Sequence, residues 1–593
     1  MANNEKSGPL LPSATTPASL APAPHPGLRK KHPKIFAGLM VYILFRLGYE
    51  AHRSFYEHHD HAGATGAQAC VQADVLAPVE HAPLWDTLNA KIGTSSFESS
   101  AVNWLAGAVR VPTESYDNMD SVGVDPRWEA FGPFHEYLLG AFPLVHSTLK
   151  LTKVNTYGLF YEWKGTDDSL KPLLLAAHQD VVPVDPTTVD QWTHPPYSGF
   201  FDGKRVWGRG SSDDKSGLIG ILSAVETLIG AKFQPTRTIV LSFGFDEESS
   251  GYHGAGTLAT HLESVYGTDS FALIVDEGSG FSEEYGSIVA TPGIAEKGFL
   301  NVLVEVTAAG GHSSIPPAHT SIGILSALLV HYEQHPYHVT ITRDEPIYET
   351  LQCIAQHAKN VPDKLRKTIK RSAKSKKALE RLQETIRSDK VLSSLVGTTQ
   401  AITLIQGGVK SNALPEQASA VVNHRIAVVS SLDEVKAHDT ALLKHLGDKF
   451  NLTYSAFGTR ISEEGAPSSG TLTLSDAFSG GLEPAPVTPT GRDAAPYQLL
   501  SGTIKATYNA HRSLKEADSV IVAPSMMSGN TDTRFYWNLS SHIFRYNHQN
   551  AGSSENPLGG IHTVNEFANV DSFLEQIRFF TTLILNVDET KAF

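Results

Sequence analysis

The sequence predicts an α/β protein in which a larger domain, built on a doubly wound and mostly parallel sheet, is interrupted by a smaller α+β domain. Three observations carry this. Apolar runs at 172–177, 238–245 and 271–275 read as buried strands, and each is followed by acidic or histidine residues. They alternate with helical apolar spacing, as at 216–229 after a Gly-rich turn, which is the pattern of parallel strands joined by crossover helices. The texture changes near Lys297, where 300–307 alternates apolar and polar like a half-buried strand, and the α/β texture resumes after about 480.

In chain order, residues 1–34 form a Pro-, Ala- and Ser-rich tail of disordered composition. Arg29, Lys30, Lys31 and Lys34 lead into the apolar run 35–45, which extends across Arg46 to Tyr49. Basic residues before an apolar segment mark that side as cytoplasmic and everything downstream as translocated. The uninterrupted run has 11 residues and the extended one 15, against the ~20 of a comfortable span. A cleavable signal sequence and an uncleaved signal-anchor both fit, and 35–49 is read as an anchor in the membrane. Residues 50–97 read as a stalk or linker containing His52, His58, His59 and His61.

The first part of the larger domain is expected at 98–296. The smaller domain, 297–480, has strands at 300–307, 401–405 and 418–428 and helices at 321–332 and 432–446. Within it, about 343–398 reads as a helical insertion. Its segment 364–390 is basic and amphipathic, with Leu365, Ile369, Leu379, Leu382 and Ile386 at helical spacing. This is a solvated face, or in the alternative a contact for a membrane or an acidic partner. The larger domain resumes over 481–593 with a helix at 494–508, a strand at 519–523 and a closing helix at 570–585. No repeat of 20–50 residues is present.

The totals agree with a globular protein of two or more domains: 593 residues, 41% apolar and 19% charged. A formal net charge of 48 − 62 = −14 argues against a nucleic-acid binder. Two cysteines, Cys70 and Cys353, exclude a disulfide scaffold and a thiolate zinc site; one bridge between them and two free thiols both remain open. Asn451 and Asn538 begin N-glycosylation sequons.

The chemistry lies at the strand ends. His178-Gln179-Asp180 follows the first buried run, where it delivers a His and an Asp to the carboxyl edge of the sheet. His178 can ligate a metal, and Asp180 can accept the other ring N–H and fix the tautomer. The turn 208–215 brings Asp213, whose two free oxygens can bridge two ions. Glu247 and Glu248 follow 238–245, Asp276 follows 271–275, and His562 closes the set. One Glu of the pair can ligate while its neighbour acts as general base. These ligand types suit Zn²⁺ and suffice for two ions, as in a two-metal hydrolase.

The pieces Leu175-Ala176-Ala177-His178-Gln179-Asp180, Trp207-Gly208-Arg209-Gly210-Ser211-Ser212-Asp213-Asp214-Lys215, Asp246-Glu247-Glu248, Val275-Asp276-Glu277-Gly278, Gly310-Gly311-His312-Ser313-Ser314 and Gly560-Ile561-His562-Thr563-Val564-Asn565-Glu566 resemble the M20 metallopeptidases. Within that family they resemble specifically the fungal vacuolar carboxypeptidase S or Gly-Xaa carboxypeptidase group. N-acyl-amino-acid hydrolases of the same subfamily are similar.

The resemblance runs from about Val102 to the C-terminus. It implies a catalytic domain with an inserted lid and dimerisation domain, and two Zn²⁺ per subunit. His178, Asp213 and Asp276 would hold one ion; Asp213, Glu248 and His562 would hold the other. Asp180 would orient His178 and Glu247 would be the general acid/base, with a cis peptide at Asp213–Asp214. His312 of the lid would donate to the oxyanion, from the partner subunit in dimeric members. Asn412, Arg425, Thr531 and Arg534 resemble residues that hold a substrate carboxylate. The implied activity is a carboxypeptidase on short peptides, the alternative an N-acyl-amino-acid amidohydrolase or synthase. The implied location is the vacuolar lumen, held to the membrane by the N-terminal anchor, with secretion as the alternative.

Overall fold

The computed structural model describes residues 70–515, 519–550 and 560–593. The tail 1–34, the apolar segment 35–49 and the four stalk histidines lie outside the described residues. Among the described residues no helix is long and apolar enough to cross a membrane.

A ten-stranded, parallel-rich sheet forms the centre of the larger domain. Leu173–His178 runs parallel to Ile239–Gly244 on one side and to Leu273–Glu284 on the other. Ile543–Asn550 continues the parallel set beyond Leu273–Glu284. Every residue of the first two strands is buried. Both faces are covered, which is why these runs are continuously apolar and not alternating. An antiparallel hairpin, Lys150–Val154 with Gly158–Trp163, closes one edge.

Helices Lys215–Gly230, Ala495–Arg512 and Val570–Glu589 cover one face, with Leu218, Leu222, Leu500, Ile504, Ile577 and Leu583 fully buried in one cluster. Each such side chain contributes about 1.5–3 kcal/mol relative to exposure. Ala255–Tyr266 covers the other face through Leu258 and Leu262.

The stretch 70–97, expected as part of a stalk, is packed onto this body. Helices Ala82–Ile92 and Ser95–Val109 bury Leu88, Ile92, Phe97 and Leu105 in the main core. Ahead of them the chain runs as a strap. The Gln72 side chain bonds both the N–H and the carbonyl of Val522, each at 2.9 Å, and the Leu76 amide donates to the Gly502 carbonyl at 3.0 Å. Residue 502 has to be glycine for this approach, because a Cβ there would stand 2.6 Å from that of Leu76. Cys70 and Cys353 form a disulfide, which closes the question left open by the sequence, and no cysteine is free.

The smaller domain is a six-stranded sheet in the order Thr399–Gly407, Gln417–Ile426, Gly298–Ala308, Gly470–Asp476, Thr453–Ala456, Thr459–Arg460. Gly298–Ala308 buries alternate residues, including Leu300, Val302, Val304 and Val306, as its pattern predicts. Helices Ser321–Gln334 and Leu432–Lys449 pack on that face through Leu325, Leu328, Val435 and Leu443.

The helical insertion behaves differently from its place in the sequence. Its 364–390 segment is two helices, Asp363–Ser372 and Lys376–Ser388. The insertion also packs on the large sheet: Ile347, Leu351 and Ile369 share a cluster with Ala295 and Met526 of the strands Gly293–Glu296 and Ser525–Met527. It therefore covers an edge that would otherwise present unpaired backbone groups.

Candidate metal centre

His178 ends its strand at the carboxyl edge of the central sheet, opposite Gly244. Its Nε2 lies 3.1 Å from Asp213 Oδ1 and 3.5 Å from Glu277 Oε1. His562 Nε2 lies 3.1 Å from Asp213 Oδ2 and 3.1 Å from Glu248 Oε2. Asp213 thus offers one oxygen to each histidine. Two sets of ligand atoms converge closely enough for a cation, His178 with Asp213 and Glu248, and His178 with Asp214 and Glu277.

Where Asp276 was expected as a ligand, the carboxylate that approaches His178 is that of Glu277. Adjacent residues of a strand point to opposite faces, and it is Glu277 that reaches His178. Asp276 is turned back, its Oδ1 accepting the amide of Glu277 at 2.9 Å. Nothing in composition separates the two acids, since both follow the same apolar run.

Each ligand-bearing turn is held by a buried group. Asp180 accepts the amides of Glu247 and Glu248, both at 3.1 Å, and the Ser115 hydroxyl at 2.7 Å. His178 Nδ1 meets the Asp180 carbonyl at 3.0 Å and its carboxylate at 3.3 Å. Asp180 therefore positions the Glu247-Glu248 turn as well as the imidazole. Asp214 caps the helix Lys215–Gly230, accepting from the Gly217 amide at 3.2 Å; a Cβ on residue 217 would collide with that carboxylate. The Asp213–Asp214 peptide is cis, as the resemblance implies.

The electrostatics ask for cations. Burial pushes the carboxyls of Glu247 and Glu277 well above the ordinary range, with neighbouring acids adding to the rise against the opposing field of His178. Burial raises Asp214 to about 8 and Asp276 to about 6. For His178, burial opposes the charge, yet Glu277, Asp180 and Asp213 outweigh it and hold the imidazole well above its usual range. Hydrogen bonds to Asp213 and Glu248 raise His562 to about 10. Asp213 moves the other way: burial resists ionisation, but the two histidines hold it below the usual carboxylate range. Carboxyls raised in this way bind protons that a cation would displace. Asp214 Oδ2 and Asp276 Oδ2 are buried without a hydrogen-bond partner, and this density of carboxylates fits a pair of divalent ions whose binding would release those protons.

The substrate-side expectations divide. His312 is exposed on the short strand Gly311–His312, paired with Ala413–Leu414. Its Nδ1 accepts the Ser314 amide at 3.2 Å, so a neutral ring carries its proton on Nε2. Among the described residues no hydrogen bond or ion pair joins it to the metal centre. Asn412 lies beside it, its carbonyl accepting the Ser313 amide at 3.2 Å.

Arg425 donates to Asn530 Oδ1 at 3.0 Å. Burial lowers its pKa, and the charge of Arg534 lowers it further. Arg534 stacks on Tyr252 and Phe535, with 5.4 and 4.8 Å to the ring centroids. Two guanidiniums thus share a region with no carboxylate paired to either among the described residues. Thr531, expected as a substrate contact, is buried and donates its hydroxyl to Glu296 at 2.7 Å; it anchors its loop. Glu566 was legible only as the end of a motif. The structure shows its carboxylate inside the turn that carries Asp213, accepting the Ser212 and Asp213 amides at 3.0 and 3.2 Å.

The chain is similar to known proteins in sequence and in fold. The chain is 38% identical to carboxypeptidase S of Saccharomyces cerevisiae over 96% of its own length and 98% of that protein's. It is 31% identical to the N-fatty-acyl-amino acid synthase/hydrolase PM20D1 of Mus musculus over 82% of its length and 88% of that protein's. Among solved structures, human carnosine dipeptidase 1 superposes with a TM-score of 0.55 at 16% identity, covering 87% of this chain and all of that one. The M20 family metallo-carboxypeptidase Sso-CP2 of Sulfolobus solfataricus gives 0.53 at 16% identity, covering 83% and 99%. These two likenesses establish the fold, an α/β domain interrupted by a smaller one. The family description Peptidase family M20/M25/M40 matches residues 174–586, so the chain belongs to that family.

Proposed function

We propose that the chain is a zinc-dependent carboxypeptidase that hydrolyses the C-terminal peptide bond of short peptides of the Gly-Xaa type. The observation that carries this reading is the convergence of His178, Asp213, Glu248, Glu277 and His562, from separate stretches of chain, at one point on the sheet edge. The identity to yeast carboxypeptidase S supports the substrate class.

In this reading His178, Asp213 and Glu277 hold one zinc ion, and Asp213, Glu248 and His562 hold the other. When bound, the ions polarise the scissile carbonyl and bring the pKa of a water near neutrality. Glu247 takes the proton of the attacking water and returns it to the leaving amine. Asp180 keeps His178 and the Glu247 turn in place. Arg425, Arg534 and Asn412 receive the substrate's terminal carboxylate, a task suited to guanidinium forks. His312 donates a hydrogen bond from its Nε2–H to the carbonyl oxygen as charge builds there.

A homodimer through the lid would let His312 serve the centre of a second copy. The exposed edge strand Thr399–Gly407, with Leu404 and Ile405 at 50% and 61% exposure, supports this. A strictly monomeric species by light scattering sinks it. The disulfide supports an oxidising compartment, and both sequon asparagines are exposed. A lumenal vacuolar enzyme anchored through 35–49 fits these facts, with an extracellular one as the alternative; protease protection in intact microsomes tests the topology.

The central test is hydrolysis of a blocked Gly-Leu dipeptide, lost on zinc removal and restored on its return. A fully zinc-loaded chain inert toward such dipeptides overturns the reading. The second reading, an N-acyl-amino-acid amidohydrolase, is favoured by the identity to the mouse enzyme, and a parallel assay on an N-oleoyl amino acid separates the two.

A further inference from the structure

We propose that Glu566 is a positioning residue for the metal centre: its buried carboxylate ties the loop carrying His562 to the turn carrying Asp213, and so maintains the half of the centre that these two side chains share with Glu248. This rests on the two-metal reading above.

The two loops leave the same end of one strand pair. Arg205–Trp207 runs into the turn that carries Asp213, and Phe567–Asn569 follows the loop that carries His562; the strands pair antiparallel, Phe567 opposite Trp207. Strand pairing fixes the stems alone. Above them the Glu566 carbonyl accepts the Gly208 amide at 2.9 Å. Its Oε1 accepts the amides of Ser212 and of Asp213 itself, at 3.0 and 3.2 Å, and its Oε2 accepts Arg209 Nη1 at 2.6 Å. Arg209 comes from the same turn and lies over the Trp192 ring, 5.5 Å from its centroid. One carboxylate therefore gathers three donors from the Asp213 turn while its own backbone belongs to the His562 loop.

His562 needs such support. Its side chain is 51% exposed, so packing does little to hold it 3.1 Å from Asp213 Oδ2. Glu566, three residues after Thr563 in the same loop, is 1% exposed. The device repeats what Asp180 does for the Glu247-Glu248 turn: a buried carboxylate accepts the amides of residues whose side chains face the cations. Outer partners of this kind set metal affinity through the geometry they enforce.

The test uses the full chain with Glu566→Ala, Glu566→Gln and Arg209→Lys, reading zinc equivalents per chain after dialysis against a graded series of chelator concentrations. The wild type is expected to retain two. Glu566→Ala is expected to retain one tight equivalent, with the second weakened about 10- to 100-fold. Glu566→Gln, which keeps an acceptor oxygen for the amides but loses the charge facing Arg209, should fall between, as should Arg209→Lys. A role in stability alone predicts no such one-site loss. Should Glu566→Ala fail to fold, the Gln variant and Arg209→Lys carry the test. The proposal is overturned if the variants hold both equivalents at wild-type affinity, or release both together. A wild-type chain holding fewer than two equivalents overturns the two-metal reading, and this proposal with it.

Discussion

Glu277 Oε1 stands 3.5 Å from His178 Nε2, while Asp276, one residue earlier, spends its carboxylate on the Glu277 amide. The two acids are therefore expected to separate on substitution. Glu277→Gln should strip zinc from the His178 side of the centre and abolish turnover, whereas Asp276→Asn should leave two equivalents bound. Zinc content by mass spectrometry decides; equal loss in both variants refutes the assignment.

Glu247 is in neither of the two candidate ligand groups among the described residues, and its amide is fixed by Asp180. Glu247→Gln should lower kcat about 10²- to 10⁴-fold, the usual range for a lost general base, with zinc content intact. A variant that turned over normally with both ions bound would remove Glu247 from the mechanism.

The paired guanidiniums predict a specificity split. Arg425→Ala should raise KM for a peptide with a free terminal carboxylate, at a cost of about 1.5–3 kcal/mol for a charge-assisted hydrogen bond. An amidated peptide should be indifferent to the change. If both substrates suffer alike, Arg425 shapes the lid instead of reading the carboxylate.

Away from the centre, Glu345 makes stability depend on pH. Burial raises its carboxyl to about 7, against an ordinary value of about 4.5, and Oε2 has no hydrogen-bond partner. The folded state holds this proton more tightly than the unfolded chain. Its contribution is complete below about 4.5 and is lost as pH rises through about 7. Glu345→Gln should raise Tm at pH 8 and leave Tm at pH 5 nearly unchanged; equal shifts at both pH values would discard this account.

Much of the fold was legible because buried parallel strands are written as short, uninterrupted apolar runs: 172–177 and 238–245 became Leu173–His178 and Ile239–Gly244. His178 and the Glu247-Glu248 pair were legible for a related reason, since they follow such runs, while Asp213 in a turn and His562 in a loop were legible only from the motifs around them. Glu277 was not, because an Asp-Glu pair at a strand end does not reveal which member faces the site. The partner of Thr531 was not legible, because a loop motif shows its residue types and not the buried Glu296 that accepts its hydroxyl. The strap was hidden for the opposite reason. The 70–77 segment has no periodic pattern, and its attachment comes from partners hundreds of residues away, Val522, Gly502 and Asn586.

The bond between Cys70 and Cys353 spans 283 residues of chain, and it sorts the outcomes of a proteolytic nick. A cut ahead of Cys70 would leave the strap still laced to the larger domain. A cut between Cys70 and the helix Ala82–Ile92 would leave the upstream piece covalently leashed to the insertion, so that release would need a reductant as well as a peptidase.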